Sequence, residues 1–312
     1  GCSRRKWQAR RPCSREGVVV GGTCRGQRNM AASAGPWMLV CDLDGTLLGV
    51  DSASLADTAR FRSAWDAHRG VAAARGLSPL LVYATGRSYE DYAFMEAEGT
   101  LMRPDAVITS TGAEIRAGGG GRGGAGASHE DNLGVKWRDR LLGLGWDPVR
   151  LEEVVGKHGF ACVERTDMRV CFLLNEAALD KGDVFRAELK AAGVRAAIVL
   201  SSQPDGIFLD CMPEGVDKGS AAQFLAEHWE VPQDRVVACG DSGNDLAMLS
   251  VFPKGVVVAN AHPELTKALD EQSVVGPYFA RGRCAAGVVE GALHFGFFGE
   301  EVVPAMSAPV ES

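Results

Sequence analysis

The sequence predicts an open, doubly wound α/β sheet with a smaller α+β body inserted into it. Short apolar runs alternate with stretches of helical spacing at both ends of the chain, the pattern of a parallel sheet covered by helices on both faces. In between, a glycine-rich stretch at 118–126 (GGGGRGGAG) interrupts the order, and a second strand-and-helix block follows it. With 312 residues, 46% of them apolar, the chain is long enough to bury two such bodies.

Each element follows from local pattern. Residues 37–43 (WMLVCDL) form a short apolar run ending in acids, a buried parallel strand. Leu55, Ala59, Phe61 and Trp65 recur at helical spacing and predict a helix over 55–74. Residues 80–84 (LLVYA) predict a second buried strand, 89–98 a helix, and 105–110 (DAVITS) a third strand. The glycine-rich stretch reads as a linker or surface loop. The inserted body is expected to hold a helix near 149–158, a strand near 168–175, a helix near 181–192 and a strand near 196–201. The doubly wound order is then expected to resume with a strand at 207–212, a helix at 218–229, and strands at 236–239 and 256–259. The expected domains are thus a core of 36–115 and 206–300, a cap of 116–205, a tail of 301–312, and a disordered or transit-like segment of 1–35.

The chemistry-bearing residues fall at strand ends. Asp42 and Asp44 lie two apart at the end of the first strand, where ligands bind in an open parallel sheet. One carboxylate could attack phosphorus while the other moves a proton; the pair equally suits a turn and helix cap. Gly45 permits a sharp turn, and Thr46 can bond back into it. Asp241 and Asp245, in Gly240-Asp241-Ser242-Gly243-Asn244-Asp245, add two carboxylates in a tight loop. Oxygen donors of this kind suit Mg²⁺ better than zinc, although a structural turn is the plain alternative. Thr85 precedes Gly86 and Arg87 at the end of the second strand, where a hydroxyl and backbone N–H groups can hold an oxyanion. Lys218 opens a helix, and a cation there would neutralise phosphate oxygens; alone it reads as a solvated charge. The order Asp42, Thr85, Lys218, Asp241/Asp245 along one sheet edge is what joins them.

With these motifs in order, the chain resembles the haloacid dehalogenase-like phosphohydrolase superfamily. Within it, the chain resembles the sucrose-phosphate phosphatase family. The resemblance rests on ATGRSYEDY (84–92), PDAVITSTGAEI (104–115), VVACGDSGNDLAMLS (236–250), VVVANAHPEL (256–265) and YFARGRCAAGVVEGALHF (278–295). It implies a Rossmann-like core, with Asp42 as nucleophile forming an aspartyl-phosphate and Asp44 as general acid and then base. Thr85 and Lys218 would hold the phosphoryl group. Mg²⁺ would be held by Asp42, the backbone carbonyl of Asp44, Asp241 and Asp245. The 132 positions between Thr85 and Lys218 match the subgroup with a cap between the second and third motifs.

The implied substrate is a sugar phosphate, sucrose 6F-phosphate first. Thr46, Gly86, Arg87, Glu114, Arg169, Asn244 and Asn260 are the candidate substrate contacts. Trp146 and Asp147 are further candidates, Trp146 equally reading as a core aromatic. Departures from the family pattern fall at Gly45, at Arg169-Val170-Cys171 in the cap, and at Phe208. They bear on the sugar rather than on the chemistry. The alternatives are a phosphatase for mannosyl-phosphoglycerate or glucosylglycerol phosphate, or an inactive sugar-phosphate sensor or partner of a sucrose-phosphate synthase.

Composition excludes other classes. The net charge is −7, and no basic stripe runs through the body of the chain, which argues against nucleic-acid binding. No stretch reaches the roughly 18 apolar residues that span a bilayer. Nine scattered cysteines without a CxxC pair read as reduced thiols inside the cell, so a cytoplasmic location is expected. Residues 1–29 carry eight basic residues against Glu16, a net +7 that leaves −14 for the remainder. That composition fits an organelle transit peptide, which would direct the protein to the plastid; it fits equally a mispredicted start with Met30 as the first residue.

Overall fold

The computed structural model describes residues 35–118, 131–174, 181–203, 206–274 and 276–302. The arginine-rich segment, almost all of the glycine-rich stretch and the expected tail beyond 302 lie outside the described residues.

A seven-stranded sheet forms the centre. Its strands are β1 (Met38–Cys41), β2 (Leu80–Ala84), β3 (Ala106–Thr109), β4 (Glu114–Ala117), β9 (Val236–Gly240), β10 (Lys254–Val257) and β11 (Tyr278–Phe279). Their order is β11-β10-β9-β1-β2-β3-β4. All neighbours run parallel except β3 and β4. Successive residues of β1 feed opposite faces. Met38 and Val40 join the apolar cluster of α6 (Lys218–His228) and α7 (Leu246–Val251). Leu39 and Cys41 join that of α1 (Ser52–Ala74) and α9 (Cys284–His294). Burial on both faces explains why the strands read as unbroken apolar runs rather than as alternation.

The sheet reverses its order at β1, which has β9 on one side and β2 on the other. Cys41 pairs in register with Tyr83 and with Cys239. The chain therefore leaves β1, β2 and β9 at one edge, at a topological switch point where such sheets bind ligands.

A second sheet, of order β5-β6-β8-β7, is antiparallel throughout. Its strands are β5 (Ala161–Arg165), β6 (Val170–Leu174), β7 (Ala196–Gln203) and β8 (Gly206–Pro213). Val155 of α4 (Pro148–Gly156) and Phe185 of α5 (Gly182–Ala191) share its apolar cluster.

Two boundary expectations are corrected. The run 207–212, expected in the parallel core, is β8 of the second sheet, so the expected junction at 205/206 falls within the β7–β8 hairpin. A buried run of that length looks alike in either sheet, and periodicity cannot separate the two. At the other end β4 pairs with β3, so the seven-stranded sheet continues to Ala117 rather than ending at 115. No described helix is long and apolar enough to cross a membrane.

Candidate active site

The run 42–46 leaves β1 as a tight turn. Gly45 has φ +83°, and a Cβ on it would stand 2.5 Å from Asp241 Oδ2, so only glycine fits between the two loops. Thr46, fully buried, donates its hydroxyl to Asp241 Oδ1 at 2.7 Å. Thr46 therefore ties the two loops together. The strand ends at Cys41, so Asp42 and Asp44 lie beyond its alternation. Asp42 is buried, whereas Asp44 is exposed and sits in the fork of Arg87, with Nε–Oδ2 and Nη2–Oδ1 both 2.7 Å. The hydrogen bonds that Arg87 donates to Asp44 raise the Arg87 pKa.

Lys218 organises the other side. Asp217 caps the N-terminus of α6, accepting from Ser220 N at 2.7 Å, which sets the first helical residue against the site. The Lys218 side chain is wholly buried, and its Nζ donates to Asp42 Oδ1 and Asp245 Oδ1 at 2.7 Å and to Asn244 Oδ1 at 2.9 Å. Burial lowers the Lys218 pKa, but the carboxylates of Asp245 and Asp42 outweigh it and the net shift is upward. Lys218 is thus a buried, charged group rather than a solvated one.

Asp245 spends its second oxygen on the backbone N–H groups of Asp241 and Ser242, both at 3.0 Å. It shapes the loop and holds Lys218. Asp42, Asp241 and Asp245 each bring a carboxylate oxygen within 4.8 Å of the others. Burial and the charge of Asp245 push Asp42 up to about 8, against the pull of Lys218. Burial likewise raises Asp241, with the Thr46 hydroxyl opposing it and Asp245 adding to it. Three buried carboxylates close to one another, two of them bonded to one ammonium, leave surplus negative charge in a set of hard oxygen donors. Such a set fits a divalent cation.

Thr85 is fully buried after β2, and its Oγ1 accepts from Arg87 N at 3.1 Å. Gly86 lies beside Asn244: a Cβ on Gly86 would be 3.7 Å from Asn244 Nδ2. Sequence reasoning missed the brace behind this loop. Ser110 and Thr111, both with positive φ, donate their N–H groups to the carbonyls of Arg87 and Thr85. The signal was Gly112, whose absent Cβ would meet Asp217 O at 2.3 Å.

The outer candidates divide. Glu114 lines a cavity of about 700 Å³ with Tyr89, Arg116, Trp137, Arg138 and Asp167. None of the cluster carboxylates lines it, but its wall begins two residues beyond Arg87. Burial raises the Glu114 pKa. Arg169 is not brought to the cluster; in the second sheet it pairs with Asp210 at 2.7 Å and Glu164 at 2.6 Å. Both ends of the Asn260 amide bond backbone: Nδ2 donates to Gly45 O at 2.6 Å, and Oδ1 accepts from Cys284 N at 2.8 Å. Trp146 is a core aromatic, 3% exposed, and Asp147 caps α4.

The family model for sucrose-6F-phosphate phosphohydrolase matches residues 35–296. The chain belongs to this family. A probable sucrose-phosphatase 3a of Arabidopsis thaliana is 32% identical over 83% of this chain, which spans 59% of that relative's length. The mannosylfructose-phosphate phosphatase of Agrobacterium fabrum is 30% identical, again over 83% of this chain, and is covered over 96% of its own length. Among solved structures, the family's sucrose-phosphatase from Synechocystis, crystallised with sucrose and phosphate, superposes with a TM-score of 0.61 at 26% identity. That match covers 84% of this chain and 98% of the other. The family match takes in both sheets and every residue of the carboxylate cluster.

Proposed function

We propose that this chain is a Mg²⁺-dependent phosphatase of a disaccharide phosphate, sucrose 6F-phosphate first. The observation that carries the reading is the buried Lys218 bridge between Asp42 and Asp245, with Asp241 alongside and the Asp44–Arg87 pair at the surface. A structural ion pair would not need a third buried carboxylate beside it.

Asp42 attacks phosphorus with a carboxylate oxygen as the bond to the sugar oxygen breaks. Asp44 gives its proton to that departing oxygen, and the Arg87 fork must open for it to do so. Asp44 then takes a proton from water, which attacks the aspartyl-phosphate and restores Asp42 with release of inorganic phosphate. Thr85 and Lys218 hold the phosphoryl oxygens, and Asn244 offers its Nδ2 beside Gly86. Mg²⁺, held by Asp42, Asp241 and the carbonyl of Asp44, would supply charge neutralisation at the phosphoryl oxygens. Asp245 keeps Lys218 and the loop in place for it.

The second sheet with α4 and α5 acts in this proposal as a cap over the leaving group. A cavity of about 700 Å³ bordered by polar side chains is of a size for a disaccharide. A second reading within the same chemistry is mannosylfructose phosphate, favoured by the Agrobacterium relative matched over nearly its whole length. Phosphate release is to be measured for sucrose 6F-phosphate, mannosylfructose phosphate, glucosylglycerol phosphate, trehalose phosphate and hexose phosphates, with and without Mg²⁺. The proposal expects Mg²⁺-dependent release with the highest kcat/KM on sucrose 6F-phosphate. Release from none of them, with sugar phosphate still bound, would replace the enzyme by a sensor.

A further inference from the structure

The segment 278–295 carries much of the family resemblance, yet the chemistry above does not use it. The structure ties it to the nucleophile turn. Glu290, on α9, accepts from Tyr278 OH at 2.7 Å, Gly282 N at 2.8 Å and Arg281 N at 3.1 Å, and so holds the turn that leads into that helix. The turn and the helix interlock: a Cβ on Gly287 would stand 2.3 Å from Gly282 O. The helix opens on Cys284, a buried residue with φ +44°, a strained conformation for a non-glycine residue that persists only where its surroundings impose it. In that conformation Cys284 N reaches Asn260 Oδ1, and Asn260 Nδ2 reaches Gly45 O.

We propose that Asn260 and Glu290 are positioning residues, acting through the Cys284 N–H as one chain that fixes the carbonyl of Gly45. The consequence is geometric. Gly45 follows Asp44 directly and faces Asp241 so closely that a Cβ would overlap its carboxylate. A shift of this turn therefore moves the proposed acid, the nucleophile two residues before it and the contact with Asp241 together. A misplacement of about 1 Å is enough to cost on the order of 100-fold in rate. Asn260 suits the task because one amide presents a donor to the turn and an acceptor to the helix start. Aspartate there would place an oxygen against the Gly45 carbonyl.

The inference rests on the proposed phosphatase reading for its kinetic half and on the fold alone for its structural half. The test uses Asn260→Ala, Glu290→Ala, Glu290→Gln and the double alanine variant in the full chain, with melting temperatures measured beside them. In amide hydrogen exchange of the metal-free protein, peptides covering 42–48 are expected to exchange about tenfold faster in Asn260→Ala and Glu290→Ala. In turnover, both variants are expected to lose about tenfold or more in kcat with KM for the sugar phosphate changed less than threefold. The double variant is expected to be no worse than Asn260→Ala, because the residues act in series. Glu290→Gln, which keeps an acceptor, covers the case in which the alanine variant does not fold, and is expected to show a smaller change in the same direction. Unchanged exchange over 42–48 in the folded variants overturns the inference. So does a loss confined to KM, which would make Asn260 a substrate contact. If the wild-type chain releases no phosphate from any sugar phosphate, the phosphatase reading fails while the exchange result still decides the chain of contacts.

Discussion

Asp42 is the residue on which the proposed chemistry turns. It lies in a buried site, 2.7 Å from a buried ammonium, with one oxygen engaged by Lys218. Asp42→Asn keeps the shape but removes the proposed nucleophile, and kcat is expected to fall by more than about 10³-fold with the fold retained. Circular dichroism and phosphate release measured on one preparation check both halves. Thr46 offers a sharper test of the link between loops. Thr46→Val leaves Asp241 Oδ1 without its 2.7 Å donor at a buried site, a loss of about 1–3 kcal/mol. The Mg²⁺ concentration for half-maximal activity is expected to rise about tenfold, and Thr46→Ser to restore it. An unchanged Mg²⁺ requirement in the valine variant would detach Thr46 from the metal site.

At the scale of elements, the β3–β4 turn and α6 are locked by Gly112, whose missing Cβ leaves room for the backbone of Asp217. Gly112→Ala forces that backbone away at a positive φ. It is expected to lower stability by about 1–3 kcal/mol and to reduce kcat, since Asp217 sets the start of the helix that carries Lys218. Thermal melting with parallel kinetics reads both. The same elements show what was legible in the sequence. The strands leading to Asp42, Thr85 and Asp241 could be read because burial on both faces makes them continuous apolar runs. The helix at Lys218 could be read from its spacing. The membership of 207–212 could not, because a buried run does not announce its neighbours. Nor could the places of Thr46 and Asn260, because both partner residues about 200 positions away, and no local pattern encodes that. Arg169 was expected on a strand but lies one residue before β6, and its partners Asp210 and Glu164 are brought to it by the neighbouring strands.

For the molecule as a whole, the surplus of buried carboxylates sets a pH dependence. The folded protein without metal holds the Asp42 proton up to about pH 8, far above the ordinary value of 3.8. Between those values the folded state binds more protons than the unfolded state, so stability falls as pH rises through that window. A bound dication favours the ionised form and opposes this loss. The rise in melting temperature on adding Mg²⁺ is therefore expected to be larger at pH 8 than at pH 5, as differential scanning fluorimetry would show. An equal rise at both pH values would place the cation elsewhere.

Phosphorylation of Asp42 is tested by an acid-quenched single turnover with radiolabelled sucrose 6F-phosphate and Mg²⁺, followed by peptide mapping. The label is predicted in the peptide that contains Asp42, removable by hydroxylamine and absent from Asp42→Asn. Turnover of the labelled substrate with the label on another residue, or with full activity in Asp42→Asn, would contradict the account.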